Sequence, residues 1–308
     1  MAELKNRIEN GLNEARILLL GGQVLLGFLL RAYFEPRFKQ LSHEGALVLC
    51  AATVVLTATL GLLIWPAPFH QIARRGAQTP DLDLFTTRIL DWALAPLAIS
   101  TGLSLYPVIQ MVGIPDAWLF TSMSIVAALG LWYGLALVRH DPVRRRNARE
   151  ETQKQRQQDA RQGKSDLPDR IKNVLVECRM ALPGAQALVG FQFVDVFFSS
   201  FEELPRSLQL VHLASLLCSL VATLLLIAPA AYHRIAEAGE ETEHFLNVAS
   251  RFLLASLVFL APGMTGDIFV VLTRVTHSFM LGAGVSLFLL ILFYAMWFVY
   301  SALARQKR

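Results

Sequence analysis

Hydrophobic positions along this chain gather into eight long runs, separated by stretches where the charged residues are crowded. The runs cover roughly 17–34, 46–65, 89–112, 117–138, 180–198, 208–230, 252–273 and 279–303. Each holds about 18–25 residues, enough for a helix to cross a hydrocarbon core of about 30 Å. The pattern predicts an all-α, polytopic membrane protein with eight transmembrane helices. The first and fifth runs are the shortest for their polar content. They are the two expected to tilt or to stop short of the far interface.

Composition agrees with this reading. The chain has 308 residues, 54% hydrophobic and 17% charged, against about 25% charged in a soluble domain. Cys50, Cys178 and Cys218 lie in or beside apolar runs with no metal-ligand spacing, which marks them as small buried hydrophobes. The first sixteen residues mix acidic and basic side chains, and no small-residue cleavage site follows. The first run is therefore expected to be retained as a span in a bacterial inner or plasma-type membrane.

Lysine and arginine placement sets the expected orientation. With both termini cytoplasmic, the inner segments are 1–16, 66–88, 139–179, 231–251 and 304–308. They hold 23 of the 28 basic residues, leaving Arg31, Arg37, Lys39, Arg206 and Arg274 on or near the outer side. This is the positive-inside bias, and it accounts for the net charge of +4. Residues 139–170 form one hydrophilic run of alternating charge, read as a cytoplasmic linker or solvated helix. Anionic lipid headgroups are a candidate partner for it beyond the bilayer itself, and no nucleic acid is expected. The chain thus divides into a first unit, 1–138, a charged linker, 139–169, and a second unit, 170–308.

The two units are copies. Aligned without gaps at an offset of 163 residues, 29 of 82 positions between 7–88 and 170–251 are identical. The matches include Glu14/Glu177, Arg16/Arg179, Gly21/Gly184, Gln23/Gln186, Gly27/Gly190, Phe28/Phe191, Pro66/Pro229, His70/His233 and Arg88/Arg251. An even number of spans per unit gives both copies the same orientation. The expected arrangement is two parallel four-helix repeats about a pseudo-two-fold axis along the membrane normal.

Two stretches carry a resemblance. Glu14-Ala-Arg16, Gly21, Gln23, Gly27 and Phe28 recur at the same spacing from Glu177 to Phe191. The second helix of the second unit ends in Ile227-Ala-Pro229-Ala-Ala-Tyr232-His233-Arg234. Both halves resemble a bacterial family of four-span membrane proteins of unknown function. The first half departs from the second motif, reading Ile64-Trp65-Pro66-Ala67-Pro68-Phe69-His70-Gln71. Members sometimes carry a sodium:proton antiporter label, and the resemblance brings no established catalytic residues.

Candidate chemistry falls in two places. Arg16, Gln23, Gly27 and Leu30 share one stripe of the first helix, and Arg179, Gln186, Gly190 and Phe193 one of the fifth. An amide in a span needs a partner, and glycine admits a second backbone. Gln23, Gln186, Gly27 and Gly190 are therefore read as a packing seam or the lining of a polar path, together with Asp195, the one carboxylate well inside a span. At the cytoplasmic level Glu14, Arg16, Arg88 and His70, with Glu177, Arg179, Arg251 and His233, form a charge cluster. In it Glu14 is expected to pair with Arg88 and Glu177 with Arg251. Asp195 aligns with Ala32, and Asp267, near the outer end of the seventh span, with Ser104.

No phosphate loop, dinucleotide fingerprint, metal-binding run or serine elbow is present in the sequence, so neither an enzyme nor a cofactor is expected. The leading expectation is a small-ion or solute transporter or channel, with cation:proton exchange one candidate. The alternative is a non-transporting membrane scaffold or a stress-related protein that binds a partner.

Overall fold

The computed structural model describes residues 2–134, 167–237 and 240–306, with side chains from residue 10 onward. Most of the charged linker therefore lies outside the described residues. Eight helices among them are long and apolar enough to cross a bilayer, the build of a multi-pass membrane protein. They are α1 (Ala2–Ala32), α2 (His43–Ile64, prolonged by turns to Ala73), α3 (Pro80–Val112), α4 (Ala117–Leu129, prolonged to Gly134), α5 (Leu167–Asp195), α6 (Arg206–Ile235), α7 (Glu243–Thr276) and α8 (Phe279–Tyr294, prolonged to Gln306). The first and fifth spans cover Asn10–Ala32 and Leu167–Asp195. At about 1.5 Å per residue both exceed the thickness of the hydrocarbon, so both are long enough to cross it.

Helix boundaries follow local chemistry. Thr79 and Thr242 are repeat mates, and each caps the third helix of its unit by accepting from the backbone N–H three residues on, Leu82 and Phe245. Ser42 does the same for α2. Gly113 closes α3 with φ of +78°, a left-handed conformation that costs glycine little. Below Ile64, Pro66 and Pro68 cannot donate helical hydrogen bonds, and the chain runs into a π-helical turn over Phe69–Ala73. That turn buries His70 and Gln71.

The N-terminus of α1 defines a proximal face. The opposite, distal face carries the α1–α2 and α5–α6 connections. In each unit the second and third helices form the main pair, and α1 packs lengthwise on α5 at the junction of the units. The junction continues where α7 and the end of α8 meet α2. There the Phe293 ring lies where a Cβ on Gly61 would have to sit, and Trp297 Nε1 donates to the Gly61 carbonyl at 2.9 Å. On the distal face Lys39 reaches Glu203 across the junction at 2.6 Å. That hydrogen bond and the lysine charge hold the exposed Glu203 carboxyl below its ordinary range.

The copies differ in how they use identical residues. Helix α1 buries Leu12, Ala15, Leu19, Gly22 and Leu26, and Tyr33 just past its end is buried too. Helix α5 buries Glu177, Cys178, Ala181, Gly184, Leu188 and Asp195. Most of these fall one place earlier in the repeat than their counterparts, a rotation of about 100° about the helix axis. An exact two-fold would give the same buried arc in both.

Candidate functional site

The α1–α5 seam is real but one-sided. Gln23 is buried and packs on Gly184, where an added Cβ would fall 1.3 Å from Gln23 Oε1. Gly27 accommodates the Phe191 ring in the same way, and Phe28 meets Phe191 edge-on at 4.8 Å between ring centres. The mates do not reciprocate. Gln186 and Gly190 are exposed on the outer surface of α5, where a symmetric seam would bury them. The rotation of α5 carries them out of the junction. Gln23 Oε1 has no hydrogen-bond partner. Replacing Gln23 by Leu therefore loses no protein hydrogen bond at that oxygen and is expected to change stability by less than about 1 kcal/mol. Gln186→Leu should change stability by less than about 0.5 kcal/mol. Thermal unfolding in detergent measures both, and a clear destabilisation by Gln23→Leu would refute this view of the seam.

The proximal charges also sort differently from the expectation. Glu14, Arg16, Arg88, Arg179 and Arg251 are exposed, and no ion pair joins Glu14 to Arg88 among the described residues. Glu177 does not pair with Arg251. Its Oε1 meets His70 Nδ1, and its Oε2 accepts from Gln71 Nε2. The Gln71 carbonyl in turn accepts from Ser250 Oγ at 2.8 Å. Glu177 and His70 are both 0% exposed. The cluster thus joins the π-helical turn of α2, in the first unit, to α5 and α7 of the second. Arginines at this level reach water with their long side chains, whereas the shorter carboxylate turned inward needs partners inside. His233 is half-buried, with its ring 4.6 Å from Phe245.

A second polar cluster lies toward the distal side, within the second unit. Asp195 ends α5, His212 stands on α6 and Asp267 on α7, and their exposures are 1%, 1% and 2%. His212 Nε2 donates to the Gln192 carbonyl at 2.9 Å, which fixes a proton on that nitrogen. His212 Nδ1 faces Asp267 Oδ1 at 3.1 Å. The Gln192 amide donates to Asp267 Oδ2 and, at 3.0 Å, to the Gly263 carbonyl. The Phe34 and Phe201 rings pack edge-on against the imidazole. Asp195 Oδ1 is buried with no hydrogen-bond partner. Arg31, whose charge acts on Asp195, is paired with Glu35 at 3.1 Å. Arg274 lies over the Phe34 ring, 5.2 Å from its centre. No three His, Cys, Asp or Glu side chains among the described residues are placed to ligate a metal ion.

Gln192, His212 and Asp267 were not among the candidate residues of the sequence. Their repeat mates are Leu29, Leu49 and Ser104, and that of Asp195 is Ala32. Four polar groups inside spans of one copy, where the other has apolar or small residues, is the signal that marks them.

The sequence model of the Family of unknown function (DUF6328) matches residues 3–136 and again 163–301. The chain belongs to this family. It carries two DUF6328 modules in tandem, in keeping with the internal repeat, and the distal cluster belongs to the second module alone. No curated protein and no solved structure matches the sequence.

Proposed function

We propose that this chain is a proton-coupled membrane carrier for a small ion or solute, with its coupling site at Asp195, His212 and Asp267. One observation carries the reading: two carboxylates and one imidazole are buried together at the contact of three membrane helices. With both carboxylates ionised and the imidazole protonated, the cluster keeps one negative charge. An unbalanced charge in so dry a setting costs several kcal/mol, and Arg31 is already neutralised by Glu35. A proton on one carboxylate removes the cost. Loss of that proton then requires an incoming cation, or an opening that admits water. Cation:proton exchange is the simplest cycle with that property.

Basic-residue placement supports a cytoplasmic proximal face, an outward distal site and insertion in an inner or plasma-type membrane. A scaffold that transports nothing remains the second reading. It is favoured by the near-complete burial of all three site residues in this conformation.

The test is reconstitution of the full chain in proteoliposomes containing a pH-sensitive dye, with a sodium gradient imposed and then a potassium gradient. The carrier reading expects a gradient-driven change in lumenal pH that falls at least tenfold in Asp195→Asn. Folded wild-type protein that moves no protons under either gradient would favour the scaffold.

A further inference from the structure

The distal cluster has a counterpart at the other end of the same helix face. Glu177 and Asp195 are eighteen residues apart on α5, which is five full turns, so both point the same way about 27 Å apart along the axis. Both are buried, and at each end α5 meets a histidine-bearing helix: Glu177 contacts His70 of α2, and His212 of α6 donates to the Gln192 carbonyl one turn before Asp195.

The face between them carries buried polar atoms with no protein partner. They are Asn173 Nδ2 and His70 Nε2 near Glu177, Gln23 Oε1 against Gly184 about two turns further on, and Gln192 Oε1 and Asp195 Oδ1 at the distal end. Buried polar groups are satisfied in nearly all folded proteins. Those without a protein partner are the places where buried water binds. Single orphans are common; these five lie on α5 or on side chains packed against it, at its proximal end, its middle and its distal end.

We propose that Glu177 and His70 form a second proton-binding site, and that protons pass between it and Asp195 along the buried face of α5, by way of Gln23. This rests on the proton-coupled reading above and adds the route to the proximal face. Each step moves a proton between O–H and N–H groups and the water bridging them, with no change of oxidation state. A proton leaving Asp195 toward the proximal side ends on the Glu177 carboxylate or His70 Nε2 before release. The charged groups around this end are already engaged. Arg74 pairs with Asp81, and Arg170 with Glu243 and the Arg75 carbonyl. Ser250, on α7, is uncharged, and Arg251 is exposed. At the other end Arg31, Glu35, His212 and Asp267 face Asp195. The first unit lacks this route, since the mate of Glu177, Glu14, is exposed.

The experiment is proton flux in the same proteoliposomes, comparing wild type with Glu177→Gln, Glu177→Asp, His70→Gln and Gln23→Leu. Glu177→Gln is expected to slow flux at least tenfold and Glu177→Asp to restore most of it. Gln23→Leu should slow flux although it leaves stability nearly unchanged, a combination that a purely structural role for Gln23 would not give. If Glu177→Gln fails to fold, His70→Gln decides in its place. Wild-type flux retained in full by Glu177→Gln or His70→Gln would overturn the relay and leave the distal site standing. Absence of flux in wild type would overturn the carrier reading and the relay with it.

Discussion

Asp267→Ala is expected to destabilise the protein by about 3–5 kcal/mol, the range seen when one partner of a buried pair is removed. Asp267 takes the Gln192 amide on one oxygen and faces His212 Nδ1 with the other. Alanine leaves both nitrogens in a dry contact between three helices, with the Phe34 and Phe201 rings closing over the imidazole. Asp195→Asn should behave differently. Asp195 Oδ1 has no hydrogen bond to lose, and the amide is a neutral group of nearly the same shape, so its cost should stay below about 1 kcal/mol. Denaturation midpoints of the two variants in detergent check the contrast. Equal losses, or a larger loss for Asp195→Asn, would mean that Asp267 is not the acceptor around which the cluster is built. The same pair separates stability from activity, because Asp195→Asn should preserve the fold and still abolish coupling.

Much of the architecture was legible in the sequence for reasons of length and solvent. Eight apolar runs must be helices, because a bilayer offers the backbone no other partner. The repeat is visible because identities at fixed spacing need no structure to be counted. Thr79 and Thr242 are repeated because each caps a helix, a local role that survives any change in how helices meet. The α1–α5 contact was foreshadowed by Gly27, Gly184 and Gln23, small and amide side chains suited to close approach.

What the sequence did not reveal was rotation. Depth along a helix follows from residue number, and the structure brings His70 and Glu177, expected at one level, into contact. Azimuth depends on how all the helices pack at once. The buried arc of α5 is turned about one residue from that of α1, which sends Gln186 and Gly190 to the surface and Glu177 into the junction. The same rotation replaces the expected Glu177–Arg251 pair by Glu177–His70. Of the distal cluster the sequence singles out Asp195 alone as a candidate, for another reason. Attention to residues shared by the copies passes over those that differ, and Gln192, His212 and Asp267 stand opposite Leu29, Leu49 and Ser104. In a duplicated membrane protein, a polar residue within a span of one copy only has no packing role inherited from the common ancestor. It is therefore the better pointer to chemistry.

The second large expectation concerns the proton itself. On the carrier reading, neutrality of the cluster calls for one carboxyl proton held by its two carboxylates together, since an imidazolium would balance only one of them. A carboxyl proton in a dry site gives an infrared carbonyl stretch separate from that of ionised carboxylates, and the band shifts in heavy water. Infrared difference spectroscopy of the full chain, taken across a pH titration, tests the claim most directly. The account predicts a titrating carboxyl band in the wild type that is lost in the Asp195→Asn, Asp267→Asn double variant and retained in Glu14→Gln, whose carboxylate is exposed. A double variant with the same band and the same titration as the wild type would contradict it.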